Sequence, residues 1–254
     1  MKHKILVSND DGFHAPGIIA LYKAVADLGE VTVVAPATEQ SGVGHAITSF
    51  NPIKIKKQKF DGQYEGYSVT GTPADCVKIA ASVLLGQLPD LVISGINLGP
   101  NVGISVIYSG TVSAAAEGTI LGIPSMAVSL DTFKDPCWDT AAHIARLLAG
   151  KILKNGLPPA TMLNVNVPNL PLDKIKGLVI TRVGRSRFAE VFHRRTMPRG
   201  DVYYWMDGEL VPLEDVQGTD IQAVSDGYGS ITPISFDLTN HAVKPELEKW
   251  NLTL

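Results

Sequence analysis

The chain opens on a run of apolar β-formers, Ile5-Leu6-Val7, that passes through Ser8-Asn9 and stops at two adjacent acids and a glycine, Asp10-Asp11-Gly12. A strand without polar alternation is buried on both faces, which confines it to the interior of a sheet covered by helices on either side. Its end carries the chemistry. Successive strand side chains point to opposite faces, so neighbouring carboxylates converge only where the chain leaves strand geometry, and Gly12 permits that departure. Paired carboxylates at a strand end suit a hard divalent cation that takes oxygen ligands. The same residues also serve as plain turn formers, because Asx side chains and glycine dominate turns for local reasons. This segment by itself leaves both readings open.

Downstream the same grammar repeats. Pro16 to Val25 carries apolar residues at helical spacing, Leu28-Gly29 marks its exit, and Val31-Thr32-Val33-Val34-Ala35-Pro36 reads as a second strand. Thr72-Pro73-Ala74-Asp75 has the makeup of a helix start: Thr72 as N-cap, Pro73 in the first turn, and Asp75 near the positive end of the dipole. That helix runs to about Leu85. Pro89 to Gly95 is another buried strand, Val112 to Leu121 another helix, Ile123 to Leu130 a further strand and Pro136 to Leu148 a helix. This alternation predicts an α/β fold, a mostly parallel sheet with helices on both faces.

Strands dominate the remainder. Thr161 to Val167 and Gly177 to Val183 read as strands, and Val202-Tyr203-Tyr204-Trp205-Met206 with Asp207-Gly208 reads as half of a hairpin. Arg182, Arg185, Arg187, Arg194, Arg195 and Arg199 punctuate this part; such a cluster can contact an anionic substrate, but charge clusters are more often a solvated or subunit-facing strand surface, and that is the reading taken. No Pro/Gly/Ser-rich linker separates it from the rest, so residues 1–254 are read as a single domain. About 1–150 form its core, and about 160–254 form a β-rich C-terminal extension with a hairpin arm. The arm, Arg185 to Trp205, is expected to pack against another subunit, because a lone two-stranded ribbon is marginally stable in water.

With 254 residues, 45% hydrophobic content and a formal charge of −3, the chain can bury a substantial core but exerts no global pull on duplex nucleic acid or an anionic membrane. Met1-Lys2-His3-Lys4 precedes an apolar run too brief for a signal peptide, and no apolar stretch reaches membrane-spanning length. Cys76 and Cys137 lack metal-ligand spacing and fall in predicted helices, as buried thiols of a cytoplasmic protein would. Gly-x-Ser-x-Gly, His-Glu-x-x-His and Gly-x-x-x-x-Gly-Lys are all absent, which removes the common serine-hydrolase, zincin and P-loop readings.

In an open parallel sheet, ligands bind outside the carboxyl ends of the strands. The polar residues that follow the predicted strands are Asp10 and Asp11, then Thr38-Glu39-Gln40-Ser41-Gly42, then Asn97-Leu98-Gly99-Pro100-Asn101. Carboxylates, a hydroxyl and a carboxamide at one edge make an all-oxygen ligand set, with water or phosphate filling the other positions. Ser109-Gly110-Thr111 precedes an alanine-rich helix whose free N–H groups suit an oxyanion. Each of these features singly reads as an Asx-turn or a cap, and their recurrence at successive strand ends is what favours a metal-plus-phosphate site. His14 and His45 fall in nearby loops as candidate proton donors.

Five ordered motifs carry a resemblance. They are Ile5 to Gly12, Val34-Ala35-Pro36 with Gln40-Ser41-Gly42, Gly71-Thr72-Pro73-Ala74-Asp75-Cys76, Ser94 to Asn101 and Tyr108 to Ala114, with Gly229-Ser230-Ile231-Thr232-Pro233 near the end. Together they resemble the survival protein SurE family over nearly the whole chain. The resemblance implies a Rossmann-like core with a β-rich extension that builds a homodimer or homotetramer. It also implies a cytoplasmic, metal-dependent nucleotidase acting on nucleoside 5′- and 3′-monophosphates, with short polyphosphate as a substrate of some members. Carried over by motif, one Mg²⁺ or Mn²⁺ ion per subunit would be held by Asp10, Asp11, Ser41 and Asn97. The phosphate would lie at Asn97, Ser109, Gly110 and Thr111, and Asp10, Asp11 and Asn97 would form the catalytic set. Whether Asp11 acts as base, orients a water or only ligates stays open, since each role puts the same carboxylate beside the ion.

Two other classes share parts of this pattern. A response-regulator receiver domain also begins with a strand ending in paired acids, but it needs a phosphoacceptor Asp after its third strand. Ile53-Lys54-Ile55-Lys56-Lys57 offers none, and later strand-end positions hold Gly95 and Asn97. A nucleotide-binding module without turnover has the same residues and is separated only by phosphate release.

Overall fold

The computed structural model describes residues 2–250 and Leu252. Strand β1 (His3–Ser8) leads through α1 (Pro16–Val25) into β2 (Gly29–Pro36). A hairpin of β3 (Ile55–Phe60) and β4 (Tyr64–Val69) follows, then α2 (Pro73–Ile79) and one π-helical turn, Ala80–Leu84. Next come β5 (Leu91–Leu98), the short α3 (Ser105–Tyr108), α4 (Gly110–Ile120), β6 (Ser125–Asp131) and α5 (Trp138–Asn155). The last third holds β7 (Thr161–Pro168), β8 (Leu178–Ile180), β9 (Ser186–Thr196), β10 (Val202–Pro212), α6 (Asp220–Ser225), β11 (Gly229–Ser235) and α7 (Lys244–Glu248).

The described residues form a nine-stranded sheet in the order β3-β4-β2-β1-β5-β6-β7-β11-β8. The pairs from β4 through β7 are parallel, while β3 and β4, and β7 and β11, run antiparallel. Strand alternation sorts the core into two layers. Ile5, Val7 and Ile93 point to the face covered by α1 and α5, where they meet Ile18, Leu21, Ile144 and Leu148. Leu6 and Val92 point to the other face and meet Cys76, Val77 and Ala114 of α2 and α4. The chain leaves β1 toward β2 on one side and returns to its other side only with β5, so a crevice opens between the carboxyl ends of β1 and β5. That crevice holds Asp10, Asp11 and Asn97.

The α/β sheet with helices on both faces is present as the sequence predicts, and several boundaries differ for physical reasons. Strand β5 runs on to Leu98, because its register with β6 shifts between Ser94 and Asn97 and pairing then resumes. Helix α5 extends past Leu148, since Ala149 and Ile152 continue its buried stripe until Gly156 ends it, and it starts at Trp138, which leaves Cys137 as the N-cap outside the helix. The Asp207-Gly208 pair is not the hairpin turn. It lies within β10, opposite Val191 and Glu190, and the ribbon reverses instead at Met197 to Asp201, where the Met197 N–H donates to the Asp201 carbonyl. Strands β7, β11 and β8 continue the main sheet, and β9 and β10 pair only with each other.

Helix α1 approaches the sheet closely at one point that matters for the site. A Cβ on Gly17 would stand 1.9 Å from the carbonyl oxygen of Ile96, the residue before Asn97. Gly17→Ala is therefore expected to force α1 off β5 at a cost of about 1–3 kcal/mol, lowering Tm by roughly 3–10 °C. Thermal unfolding followed by circular dichroism checks this, and an unchanged Tm would mean that the helix and the strand are not so tightly apposed.

Candidate active site

At the end of β1 the backbone turns through Gly12, which has φ +107, and the Asn9 side chain closes the turn by donating from Nδ2 to the Gly12 carbonyl at 2.9 Å. Asp10 is buried at this turn and Asp11 is half-buried. The Asp10 Oδ1 accepts a short hydrogen bond from the Thr111 hydroxyl. Burial pushes the Asp10 carboxyl above its ordinary pKa; the Thr111 hydroxyl and the N–H groups of Thr111 and Gly110, in the first turn of α4, work in the opposite direction. Asp11 accepts the Leu98 N–H on Oδ2 at 3.3 Å. Its pKa is pushed up to about 7, first by desolvation and then by the neighbouring charges of Asp10 and Glu39.

Asn97 completes the group from β5. Its Nδ2 donates to the Gly99 carbonyl at 2.7 Å, which fixes the amide so that Oδ1 faces Thr111 Oγ1 at 3.5 Å. Thr111 thus stands between an Asp10 oxygen and the Asn97 oxygen and brings the two together. Ser109 is the N-cap of α4, accepting the Val112 N–H at 3.1 Å, and its own hydroxyl hydrogen is left to donate elsewhere. Helix α4 can enter this crowded place because it is small-sided: Gly110 through Thr119 are buried, with three successive alanines.

Ser41 lies on a long loop between β2 and β3 that several bonds stitch to the body. The Gln40 N–H donates to the Asp10 carbonyl at 2.8 Å, and the Gly44 N–H to the Tyr108 carbonyl at 3.0 Å. Thr72 donates to the Ala46 carbonyl at 2.7 Å, and Asp75, the acid of a capping box on α2, accepts both the N–H and the hydroxyl of Thr48. His45 Nε2 meets Glu117 Oε2 at 3.0 Å, and Lys78 Nζ meets Glu117 Oε1 at 2.7 Å. Glu117 is thus a buried carboxylate on α4 that ties the Ser41 loop and α2 to the helix whose first turn borders Asp10.

A cleft of about 460 Å³ gathers these elements, lined by Asp10, Ser41, Asn97 and Ser109 among others. Asp11 joins it through the bond to Leu98, which also lines the cleft. Among the described residues, no Lys, Arg or His lines it, and His14 and His45 stand outside. Nor do three His, Cys, Asp or Glu side chains gather anywhere among the described residues in a way that could hold a metal. The donor set is therefore two carboxylates with neutral oxygens from Asn97 and Ser41, which suits an ion that keeps several waters. Acids raised by burial, and in Asp11 also by the neighbouring charges of Asp10 and Glu39, with no cationic side chain among the described residues lining their cleft, fit a divalent cation. Sequence reasoning missed the apolar part of this cleft, Tyr108, Phe133, Phe188 and Met206, and it missed Glu117 and Lys78. Only the position of Phe133, just past a strand's carboxyl end, carried a signal.

An acidic, oxygen-lined crevice at the carboxyl edge of a parallel sheet, beside the N-terminus of a small-residue helix, defines an α/β protein of the open-sheet class with its polar cleft at the strand ends. The chain belongs to the survival protein SurE family, whose model matches residues 5–190. It is similar to the 5′-nucleotidase SurE of Syntrophobacter fumaroxidans, at 49% identity over 249 residues, covering 98% of this chain and 100% of that protein. The 5′-nucleotidase SurE of Heliobacterium modesticaldum is 50% identical over 248 residues, covering 97% and 91%. The crystal structure of the SurE protein from Aquifex aeolicus matches the fold with a TM-score of 0.83 at 43% identity, over 97% of this chain and 99% of that one.

The Glu117 tie gives stability a pH dependence. Desolvation works to raise the Glu117 pKa, but His45 and Lys78 outweigh it and hold the carboxyl below its ordinary value of 4.5. A depressed carboxylate contributes stability above its unfolded pKa, and that contribution disappears as pH falls through the folded value. Glu117→Gln is therefore expected to lower Tm at neutral pH, by about 1–3 kcal/mol of stability, and to narrow the gap to wild type below about pH 4. Thermal scans from about pH 3 to 7 check it; a gap that stays constant across that range would contradict the assignment.

Proposed function

We propose that this chain is a metal-dependent phosphomonoesterase that hydrolyses nucleoside 5′-monophosphates to nucleoside and phosphate. The curated relatives named 5′-nucleotidase SurE, similar over nearly the full length of the chain, support nucleotide phosphate hydrolysis. The observation that carries the metal dependence is the charge of the cleft. A phosphate dianion entering beside Asp10 and Asp11 would meet no Lys, Arg or His among the described lining residues, so its approach requires a cation from solution. We assign one Mg²⁺ or Mn²⁺ ion per subunit to Asp10, Asp11, Ser41 and Asn97. The reading extends to nucleoside 3′-monophosphates and short polyphosphate at the same phosphate site, to a cytoplasmic location, and to a homodimer or homotetramer built through the hairpin arm.

When bound, the ion supplies charge neutralisation at the phosphoryl oxygens and acidifies an attacking water. The residues of the chain do the positioning. Thr111 and the first turn of α4 hold Asp10 in one orientation, and the Leu98 N–H holds Asp11 by Oδ2 and leaves Oδ1 available. The Gly99 carbonyl keeps the Asn97 amide turned so that its oxygen faces inward. The Ser109 hydroxyl, already accepting the Val112 N–H, can donate its hydrogen to a phosphate oxygen, and the first turn of α4 adds its dipole. Little covalent chemistry by the protein is then required.

Phosphate release from AMP, with and without a chelator and with Mg²⁺ or Mn²⁺ added back, tests the proposal. Activity is expected to vanish in chelator and return with metal. Asp10→Asn and Asp11→Asn, which alter charge but hardly alter volume, are expected to lose roughly a hundredfold or more in kcat/KM, about 2.7 kcal/mol of barrier, while melting near wild type. Full activity of wild type in chelator would overturn the metal reading, and metal-stimulated AMP binding without phosphate release would leave a binding module.

A further inference from the structure

Helix α3 (Ser105–Tyr108) is a single turn, and three residues of the cleft, Ser105, Tyr108 and Ser109, lie on it or at its exit. One turn of helix does not hold itself together in water, so its place in the fold is set from outside. Packing supplies little of that. None of its four side chains is buried, and Ile107 and Tyr108 are 65% and 55% exposed. Polar ties at its two ends remain. At its exit the Ser109 N–H donates to the Ser105 carbonyl at 3.0 Å, and the Gly44 N–H donates to the Tyr108 carbonyl at 3.0 Å. At its entry the Gly103 N–H donates to Asp220 Oδ2 at 3.0 Å, and the Ile104 N–H donates to Ser186 Oγ at 2.9 Å.

Both entry partners come from the root of the hairpin arm and the helix after it. Ser186 is the first residue of β9 and Asp220 the first of α6. Asp220 is fully buried, and its other oxygen accepts the N–H groups of Gly184 at 2.8 Å and Ile221 at 2.9 Å. Burial pushes this carboxyl above its ordinary pKa, while the backbone N–H groups work against that rise. The contact leaves no slack. A Cβ on Gly103, which has φ +54, would stand 2.3 Å from Ser186 Oγ. A buried carboxylate that bonds the backbone of two separate segments fixes them against each other. Neither Asp220 nor Ser186 is among the residues lining the cleft.

We propose that Asp220 and Ser186 are positioning residues for phosphate hydrolysis: by capping α3 from the root of the hairpin arm, they set where Ser109 presents its hydroxyl to the substrate phosphate. The proposal rests on the phosphomonoesterase reading and extends it to residues outside the cleft. The carboxylates and Asn97 stand apart from this device. Asp10, Asp11 and Asn97 are oriented by Thr111, Leu98 and Gly99, none of which belongs to α3. Loss of the cap therefore moves the phosphate donor and leaves the carboxylates in place.

The test measures AMP hydrolysis, Mn²⁺ binding and amide hydrogen exchange in Asp220→Asn and Ser186→Ala, alone and combined with Ser109→Ala. Each of the two is expected to lower kcat/KM by roughly tenfold or more, the scale of a misplaced donor, while Mn²⁺ affinity stays within about threefold of wild type. In the Ser109→Ala background the same substitutions are expected to cost about threefold or less, because the group they position is already gone. Amides 103–109 are expected to exchange faster, with those of α4 beyond its first turn unchanged. A kcat/KM near wild type in Asp220→Asn, a loss carried undiminished into the Ser109→Ala background, or an equal fall in Mn²⁺ affinity would overturn the proposal. Should Asp220→Asn fail to fold, Ser186→Ala decides by the same criteria. If wild type releases no phosphate from AMP, the phosphomonoesterase reading fails and hydrogen exchange judges the cap by itself: faster exchange over 103–109 supports it, and unchanged exchange overturns it.

Discussion

Two carboxylates on adjacent residues repel one another, and here the fold sets them at a largely buried strand end. Asp11 shows the cost most plainly, its pKa lifted to about 7 by desolvation, Asp10 and Glu39. Much of the surrounding structure works to hold that unfavourable pair. The first turn of α4 and the Thr111 hydroxyl face Asp10, the Leu98 N–H holds Asp11, and the Asn9 side chain closes the turn below them. A divalent cation held between the two, as proposed, would relieve both the desolvation and the repulsion.

The scaffold transmits rigidity to this pair from several directions. The close approach of Gly17 to Ile96 places α1 against the strand segment that presents Asn97, and Asp75 and Glu117 tie the loop that bears Ser41. A second set of buried bonds fixes the loop after β5. The Asn101 carbonyl accepts from Asn164 and Asn166, and Asp220 accepts the N–H groups of both Gly103 and Gly184. Through Asp220, the loop after β5 and the root of the hairpin arm share one buried carboxylate, so the arm begins from a fixed point beside the cleft.

The sheet and the strand-end residues were legible because apolar runs such as Ile5-Leu6-Val7 and Leu91-Val92-Ile93 have no other way to be buried, and because an open parallel sheet puts its polar strand ends together. The β3–β4 hairpin was not, since Lys56, Lys57 and Lys59 make an edge strand that reads as solvated chain. Asp207-Gly208 misled for the opposite reason: a sequence with hairpin-turn preference is used for its glycine under the Phe188 ring. The bond from the Thr111 hydroxyl to Asp10 was not legible, since no local pattern announces a partner 101 residues away. The apolar wall was invisible because Phe133, Phe188 and Met206 come from separate elements and meet only in the folded chain.

The central claim, that Asp10 and Asp11 are held together for a divalent cation, is tested most directly by titrating the protein with Mn²⁺ and following the free-ion signal by electron paramagnetic resonance. About one ion per subunit is expected to bind to wild type, with Asp10→Asn and Asp11→Asn each weakening binding by roughly ten- to a hundredfold. Wild-type protein that leaves the Mn²⁺ free, or asparagine variants that bind it as tightly as wild type, would contradict the account.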